Sequence, residues 1–251
     1  MKKLSIVIIT WNGRQLLAGC LNSLLPLMKR ADTEVIVVDN GSDDGTAEMV
    51  RSDFPQVRLR VLSRNYGVAY ARNRGLEWTT GQYLWLLDND TVVGHDVADG
   101  LMSYLDSNPE CGLCACRLID RSGKVQPSPK HYPGLGEKLA NLLHRNGYRY
   151  GYSQTLEERI FEPDYLIGAC QMFRREVYES IGPLDEHIFY GPEDADFCLR
   201  VRNAGWHLAY LPSLSLVHYC QRATWHRLFT PLACRHIHGL LYFYVKHRRF
   251  F

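Results

Sequence analysis

Short apolar runs alternate with amphipathic segments in the first third of the chain. Runs rich in apolar and β-branched residues predict strands at Leu4–Thr10, Glu34–Asp39, Val57–Leu62 and Tyr83–Asp88. Helical spacing of apolar residues predicts helices at Arg14–Leu25, Ala47–Arg51 and Val68–Trp78. Apolar strands separated by helices are typical of a parallel sheet covered on both faces. We therefore predict an α/β fold with a mostly parallel central sheet flanked by helices.

The second half of the chain is less regular. Its predicted segments are a helix near Asp96–Leu105, a strand near Leu113–Ile119, an apolar run at Tyr165–Phe173, helices in "REVYESIG" and "GPEDADFCLRVRNAG", and strands at Leu208–Leu211 and Leu214–His218. Residues 120–163 include a stretch rich in proline, glycine and serine, and long loops of this kind are functional lids or disordered segments. We predict one domain over 1–219, interrupted by a variable region at 120–163 and followed by a helical tail at 220–251.

Three polar clusters follow apolar strands of the first half. They are Thr10–Asn12, Asp39–Ser42 and Asp88–Asp90. The carboxyl ends of parallel strands meet at one edge of a sheet, and ligands bind there in open α/β sheets. The clusters are therefore predicted to converge on one site.

Composition narrows the class of protein. The chain has 251 residues, 46% of them hydrophobic, and a net charge of only +2, so it has ample core and no global charge that favours nucleic acid. The eight cysteines do not form a short secreted framework. The group Cys111, Cys114 and Cys116 has no second pair at zinc-site spacing, which favours a buried, reduced strand. The cell interior is the expected compartment.

The run "YLWLLDND" ends a buried strand with two carboxylates, Asp88 and Asp90, one residue apart. Magnesium and manganese ions that carry a substrate diphosphate are commonly held by one or two protein carboxylates. The alternative is a turn in which Asp88, Asn89 and Asp90 accept hydrogen bonds from local backbone donors. The residues alone leave both interpretations open.

A second acidic pair, Glu193 and Asp194, opens a predicted helix. Acidic residues in a first turn stabilise the helix dipole, but the aromatic, glycine-containing approach "IFYGPED" could instead hold a general base beside a hollow. Asp196 and Arg200 have the spacing of a helix-surface ion pair. His218 ends a strand-like run, as a buried core residue or as a metal ligand next to Asp90.

Five motifs in order resemble the inverting family 2 glycosyltransferases, which have a GT-A fold. They are "SIVIITWNG", "VIVVDNGSDDGT", "NYGVAYARNRGL", "WLLDNDTVV" and "LDEHIFYGPEDADFCLRVRNAGW". Within that family, "VDNGS", "GACQMFRREVYESIG" and "YFYVKH" are most similar to bacterial rhamnosyltransferase-like members. The resemblance covers residues 4–219 well and the tail loosely. It makes residues 1–119 the nucleotide-sugar-binding half and residues 164–219 the acceptor half.

The resemblance also implies roles for individual residues. Nucleotide-sugar binding would fall to Thr10, Trp11, Asn12, Asp39, Asn40, Arg72, Asp88 and Asn89, metal binding to Asp90 and His218, and catalysis to Asp194 and Glu193. Asp39 would accept the ring N–H of a pyrimidine, Arg72 would lie near the phosphates, and Asp194 would be the general base.

The implied reaction moves a sugar from a nucleoside diphosphate, dTDP-rhamnose or a UDP-sugar, to a hydroxyl of a glycan or lipid-linked acceptor in cell-surface polysaccharide synthesis. Mn²⁺ or Mg²⁺ would stabilise the leaving diphosphate. A single displacement inverts the anomeric centre, so no enzyme nucleophile is needed.

Three alternatives remain. "WLLDNDTVV" also resembles the motif of haloacid-dehalogenase phosphatases, in which the first Asp is a nucleophile. A nucleotidyltransferase would open with a glycine-rich basic loop, which "TWNGRQ" is not. A non-catalytic nucleotide-sugar-binding or partner-binding relative is the third.

The tail combines aromatic and apolar residues with Lys246, Arg248 and Arg249. Such a segment suits a membrane interface, and it also suits a helix that packs on the domain or on another subunit. The first interpretation places the protein at the inner face of the cell membrane.

Overall fold

The computed structural model of this chain describes residues 2–132, 158–219 and 230–248. The middle of the predicted variable region, residues 133–157, lies outside the described residues. Residues 220–229 and 249–251 of the tail lie outside them as well.

Helices and strands alternate through the first half, as the sequence predicts. The helices are α1 Arg14–Ser23, α2 Leu25–Met28, α3 Thr46–Asp53, α4 Val68–Leu76, α5 Val97–Ser107, α6 Arg175–Ile181, α7 Glu193–Asn203 and α8 Pro231–His247. The strands are β1 Leu4–Thr10, β2 Thr33–Asp39, β3 Arg58–Val61, β4 Tyr83–Asp88, β5 Thr91–Val93, β6 Cys111–Ile119, β7 Val125–Gln126, β8 Pro129–Lys130, β9 Tyr165–Leu166, β10 Cys170–Arg174 and β11 His207–His218.

The first half of the central sheet is parallel. Strands β3, β2, β1 and β4 lie side by side in that order and run in the same direction. Nearly every residue of β1 and β4 is buried, because helices cover both faces of the sheet. The predicted parallel arrangement of these four strands is confirmed.

The second half of the sheet is mixed. Strand β10 runs antiparallel between β4 and β6, whereas β11 runs parallel to β6 and antiparallel to β5. The apolar run Tyr165–Phe173 is divided between β9, which pairs with β8, and β10. The two strands predicted at Leu208–Leu211 and Leu214–His218 are one strand, β11. Its pairing with β6 slips where Pro212 cannot donate to the ladder.

The cysteine-rich segment is a buried strand. Cys111, Cys114 and Cys116 lie on β6, are almost fully buried and are free thiols. The expected buried strand is confirmed for this segment.

Helix α8 packs one face against α7. Leu240, Phe243 and Tyr244 are buried there together with Ala195 and Leu199 of α7. The helix begins at Thr230, whose Oγ1 accepts a hydrogen bond from the N–H of Ala233, with Pro231 at its first position. Within the described ranges no helix combines the length and the apolar character needed to cross a bilayer.

Asp196 connects α7 to α8 through a buried cluster of charges. Its carboxylate is fully buried and accepts hydrogen bonds from Lys246 Nζ at 2.6 Å, His247 Nε2 at 2.8 Å and Arg200 Nε at 2.9 Å. The interpretation of Asp196 and Arg200 as a surface pair is therefore wrong. The spacing is that of an i,i+4 pair, but α8 covers it.

Replacing Asp196 with alanine is expected to lower the free energy of unfolding by about 2 to 4 kcal/mol. Removing one partner of a buried ion pair leaves the other charges uncompensated, and the loss is reduced here because Lys246 and Arg200 keep some contact with water. Urea unfolding followed by circular dichroism measures the change. Asp99→Ala, which breaks an exposed pair with Arg30, is the control and should cost about 1 kcal/mol or less. Equal losses in the two variants would contradict the prediction.

Candidate active site

The carboxyl ends of β1, β2 and β4 bring the three polar clusters together. In the register of the sheet Thr10 lies opposite Asp39, and Ile9 lies opposite Asp88. Asn89 Nδ2 donates a hydrogen bond to Thr10 Oγ1 at 2.9 Å, which links the ends of β1 and β4. The predicted convergence at one sheet edge is confirmed.

Asp39 ends β2 with a fully buried side chain. Its Oδ1 accepts the backbone N–H of Ser42 at 2.9 Å, whereas Oδ2 is buried and has no hydrogen-bond donor among the described residues. A buried carboxylate oxygen without a donor is costly, so Oδ2 offers an unused acceptor for a ligand N–H. The turn that follows requires glycine, because Gly41 has a φ of +81° and a Cβ there would meet the backbone of Arg64 at 2.4 Å.

The other residues predicted around the nucleobase hold loops in place. Trp11 is 55% exposed at the end of β1. Asn12, in the left-handed region with a φ of +50°, bonds to residues 42–43 through its backbone N–H and side-chain oxygen. The amide of Asn40 is buried and bonds to residues 65–67. The structure gives Asn12 and Asn40 a part in shaping this edge, and their contact with a nucleotide stays a prediction.

Asp88, Asp90 and His218 form a group that could hold a metal ion. One ligand atom from each lies within 4.8 Å of the others. His218 Nε2 is 3.3 Å from Asp90 Oδ1, and both side chains are about nine-tenths buried. Two carboxylates and an imidazole suit Mn²⁺ or Mg²⁺, which prefer oxygen ligands and accept nitrogen. The fold brings them together because β5, which begins at Thr91 directly after Asp90, pairs with β11 so that Thr91 lies opposite His218.

The charges of this group perturb one another. Burial raises the pKa of Asp88, and the Asp90 carboxylate adds to the rise while Arg72 opposes it. Burial alone would lower the pKa of His218, but the hydrogen bond to Asp90 and the negative charges of Asp90 and Asp88 outweigh it and raise that pKa. Two carboxylates close to one imidazole concentrate negative charge, and this charge would favour binding of a cation.

Arg72 contacts both Asp88 of the possible metal-binding group and Glu193 of the second acidic pair. Its buried guanidinium donates to Asp88 Oδ1 and to the carbonyl of Gly168, both at 2.8 Å, and its Nη1 lies 3.7 Å from Glu193 Oε1. Gly168 is needed for this approach, because a Cβ there would meet Nη1 at 2.3 Å. Arg72 is thus enclosed by carboxylates, and any contact with phosphates stays a prediction.

Asp194 and Glu193 begin α7 but face different surroundings. Asp194 is half-buried, and its oxygens accept the N–H groups of Gly168 at 3.2 Å and Ala195 at 2.8 Å. Glu193 is buried toward Arg72, and its Oε2 has no hydrogen-bond partner among the described residues. Burial raises the pKa of Glu193 to about 7, helped by the negative charge of Asp194. Of the two carboxylates, Asp194 is the more exposed.

Replacing Glu193 with glutamine is expected to stabilise the protein at alkaline pH. The pKa of Glu193 is raised from the ordinary 4.5 to about 7 in the folded protein. Between these two pH values the folded protein therefore binds a proton that the unfolded chain has released, and the free energy of unfolding falls as the pH rises through this range. The variant lacks this penalty and should be more stable above pH 7 by roughly 1 to 3 kcal/mol. The difference should vanish near pH 4.

Urea unfolding at both pH values measures this change, with Glu176→Gln as the matched control because that side chain is 60% exposed. A stability difference between Glu193→Gln and the parent protein that is independent of pH would contradict the assignment of the raised pKa.

Two contacts of the site have no signal in the sequence pattern. Gly168 supplies a carbonyl to Arg72 and an N–H to Asp194, although the sequence shows it only as part of the apolar run Tyr165–Phe173. Gln126 contacts His218 from the predicted variable region. Both depend on tertiary placement, so only homologous sequences could have revealed them.

The described residues form an α/β fold with a group of possible metal ligands at one edge of its sheet. Comparison with known proteins identifies the family. Residues 5–182 match the model of glycosyl transferase family 2. The chain belongs to this family and is a glycosyltransferase. The match includes the "WLLDNDTVV" motif, which therefore belongs to a glycosyltransferase and not to a phosphatase.

Two curated relatives are rhamnosyltransferases. The N-acetylglucosaminyl-diphospho-decaprenol L-rhamnosyltransferase of Mycobacterium tuberculosis is 28% identical over 262 residues, covering 97% of this chain and 85% of the relative. The dTDP-rhamnosyl transferase RfbF of Shigella flexneri is 27% identical over 215 residues, covering 84% and 67%. The expected resemblance to bacterial rhamnosyltransferases is confirmed.

A solved structure shares the fold. The mannosyltransferase of Pyrobaculum calidifontis, in complex with GDP-Man and Mn²⁺, superposes with a TM-score of 0.63 at 20% identity. The alignment covers 89% of this chain and 59% of the mannosyltransferase. The expected GT-A-like fold is confirmed.

Proposed function

We propose that this glycosyltransferase moves a sugar from a nucleoside-diphosphate donor to an acceptor hydroxyl with inversion, in cell-surface polysaccharide synthesis. The proposal depends on the placement of two clusters of carboxylates, with Arg72 in contact with both. On one side are Asp88 and Asp90 with His218, and on the other are Glu193 and Asp194. One side suits the diphosphate of a donor and the other suits the hydroxyl of an acceptor.

The nucleobase would bind against Asp39. Its buried Oδ2 has an unused acceptor position, and uracil and thymine both offer a ring N–H. Thr10, Trp11 and Asn12 lie at the end of the neighbouring strand, where they would frame the base. The names of the two rhamnosyltransferase relatives favour dTDP-rhamnose as donor, ahead of a UDP-sugar.

Asp90, His218 and Asp88 would hold Mn²⁺ or Mg²⁺ together with the donor diphosphate. Such an ion supplies Lewis-acid stabilisation of the negative charge on the leaving group. Two contacts fix the positions of these side chains. Arg72 donates a hydrogen bond to Asp88, and His218 lies beside Asp90.

On the acceptor side, Asp194 would take the proton of the attacking hydroxyl. Backbone N–H groups hold both of its oxygens, which keeps the carboxylate oriented for the proton transfer that a general base performs. Glu193 lies behind it, buried toward Arg72, and would position Arg72 while Asp194 acts. The attack and the departure of the nucleotide occur in one displacement, which inverts the anomeric centre.

Donor turnover tests this proposal. Purified protein is incubated with dTDP-rhamnose or with UDP-sugars, with and without Mn²⁺, and the release of free nucleoside diphosphate is measured with a polyprenyl diphosphate-linked sugar as acceptor. The proposal predicts metal-dependent release with at least one pyrimidine donor. Release that is equal with Mn²⁺ and with a chelator would contradict it.

The outer face of α8 fits an acceptor that is anchored in a membrane. Ile237, Leu241 and Val245 recur every fourth residue and are 52%, 55% and 69% exposed, with Arg235 and Arg248 exposed nearby. An apolar stripe beside cations suits the surface of an anionic bilayer. We place this face on the inner surface of the cell membrane, where a lipid-linked acceptor would be met.

The triple variant Ile237→Ser, Leu241→Ser, Val245→Ser is expected to bind anionic vesicles at least about tenfold more weakly than the parent protein. The substitutions remove the apolar surface that would insert into the bilayer. Co-sedimentation with vesicles measures the binding. Ile160→Ser is the control, since Ile160 is 53% exposed elsewhere on the surface. If the parent protein does not sediment with anionic vesicles, the membrane proposal is wrong.

A further inference from the structure

Gln126 holds His218 by two hydrogen bonds. Its Nε2 donates to the backbone carbonyl of His218 at 2.7 Å, and its Oε1 lies 2.8 Å from His218 Nδ1. The two residues are 92 positions apart in the chain, so the contact is made by the fold and not by local sequence.

These two bonds require a proton on Nδ1 of His218. A backbone carbonyl can only accept, so the amide nitrogen of Gln126 must face it. The amide oxygen then faces Nδ1, and because that oxygen can only accept, Nδ1 must donate. In the protonated ring Nε2–H also donates to Asp90, 3.3 Å away. When the ring loses one proton, the shorter 2.8 Å bond to Gln126 favours keeping the proton on Nδ1, which leaves a lone pair on Nε2.

A tight hairpin delivers Gln126 to this position. Asp120 ends the run of β6, and its Oδ1 accepts the N–H groups of Ser122 and Lys124 while its own N–H donates to the carbonyl of Lys124. Gly123 supplies the positive φ of +84° that the turn needs. The chain then returns as β7, in which Gln126 pairs with Leu118 of β6.

We propose that Gln126 is a positioning residue that fixes His218 as the Nδ1–H tautomer and so presents the Nε2 lone pair to a divalent cation held with Asp90 and Asp88. Histidine ligands of metals usually donate their second ring N–H to such a partner, which fixes the ring and its tautomer. The inference rests on the metal site of the proposed function, and its test is separable from it.

Two substitutions at Gln126 isolate the contact with Nδ1. Gln126→Glu keeps an oxygen acceptor facing the ring but loses the donor to the backbone carbonyl. Gln126→Leu loses both. Because the bond to the carbonyl is absent from both variants, a difference between them reports the acceptor at Nδ1. Gln56→Leu, an exposed glutamine before β3, is the control for the substitution itself.

The decisive measurement is the tautomer of His218 in the metal-free protein. Nitrogen-15 NMR of histidine-labelled protein at alkaline pH, where the imidazole is neutral, distinguishes Nδ1–H from Nε2–H, and a His218→Gln variant assigns the signal. We expect Nδ1–H in the parent protein and in Gln126→Glu. In Gln126→Leu the proton should move to Nε2, where Asp90 is the remaining acceptor. An Nε2–H tautomer in the parent protein would overturn the proposal.

Titration with Mn²⁺ alone, followed by the electron paramagnetic resonance of the free ion, gives the second readout. We expect Gln126→Leu to weaken binding by about 10- to 100-fold, with Gln126→Glu and Gln56→Leu within about threefold of the parent. Equal affinity of Gln126→Leu and Gln126→Glu would contradict the positioning role. If the parent protein binds no Mn²⁺, the metal site of the proposed function fails, while the tautomer spectrum still decides the role of Gln126.

Discussion

Asp194→Asn is expected to lower the rate of sugar transfer by about 10²- to 10⁴-fold, the range that general-base catalysis contributes. Asparagine keeps the size of the side chain and can keep the bond from the N–H of Gly168, but it cannot take a proton from the acceptor. In the proposed function Asp194 acts on the acceptor and not on the nucleotide, so the affinity for the nucleoside diphosphate should change by less than about threefold. Transfer kinetics and calorimetric nucleotide binding measure the two effects.

The matched control is Asp99→Asn, an exposed carboxylate on α5 that should leave both quantities unchanged. A variant Glu193→Asp, which retains Asp194, separates the pair: it should lower the rate less than Asp194→Asn. Near-normal turnover in Asp194→Asn would show that another group is the base.

Asp90→Ala is expected to remove the dependence of nucleotide binding on metal. The substitution takes one carboxylate from a group of three ligands and leaves His218 without its 3.3 Å partner. Since a Lewis acid contributes several kcal/mol to the departure of the diphosphate, turnover should fall by about 10³-fold or more. Calorimetry with and without Mn²⁺ and a turnover assay measure the two losses.

The thermal unfolding temperature of Asp90→Ala is measured as a control. Because the carboxylate is largely buried, this measurement must show that the variant is still folded under the assay conditions. Asp44→Ala is a useful comparison, since Asp44 is exposed and bonds to Thr46 and Arg14 in the loop after β2. Unaltered metal-dependent binding of nucleotide in a folded Asp90→Ala protein would rule out Asp90 as a ligand.

The parallel half of the fold was predictable because burial on both faces leaves a strong trace in the sequence. The strands Leu4–Thr10 and Tyr83–Asp88 are nearly continuous apolar runs that end abruptly in polar residues, and the geometry of parallel sheets then places those ends together. The antiparallel direction of β10 was not predictable, since a local apolar pattern does not encode which way a strand runs.

The grouping of the site residues was only partly predictable. The motifs indicated which residues belong together, but Arg72 and Glu193 lie 121 positions apart in the chain and meet only in the folded protein. Gly168, which bonds to both Arg72 and Asp194, lies in a segment whose pattern does not reveal these contacts. Asp196 was misjudged for a related reason. Its spacing to Arg200 describes one helix, whereas its burial depends on α8, which follows a segment outside the described residues.

The central claim is that the sheet edge binds a pyrimidine nucleoside diphosphate together with a divalent cation. Calorimetric titration with UDP, dTDP, GDP and ADP, each with and without Mn²⁺, tests it most directly. We expect binding of UDP or dTDP that requires Mn²⁺ and is lost in Asp90→Ala, with ADP bound more weakly because adenine has no ring N–H to donate to Asp39 Oδ2. Absence of binding by every nucleotide in the presence of Mn²⁺ would contradict the claim.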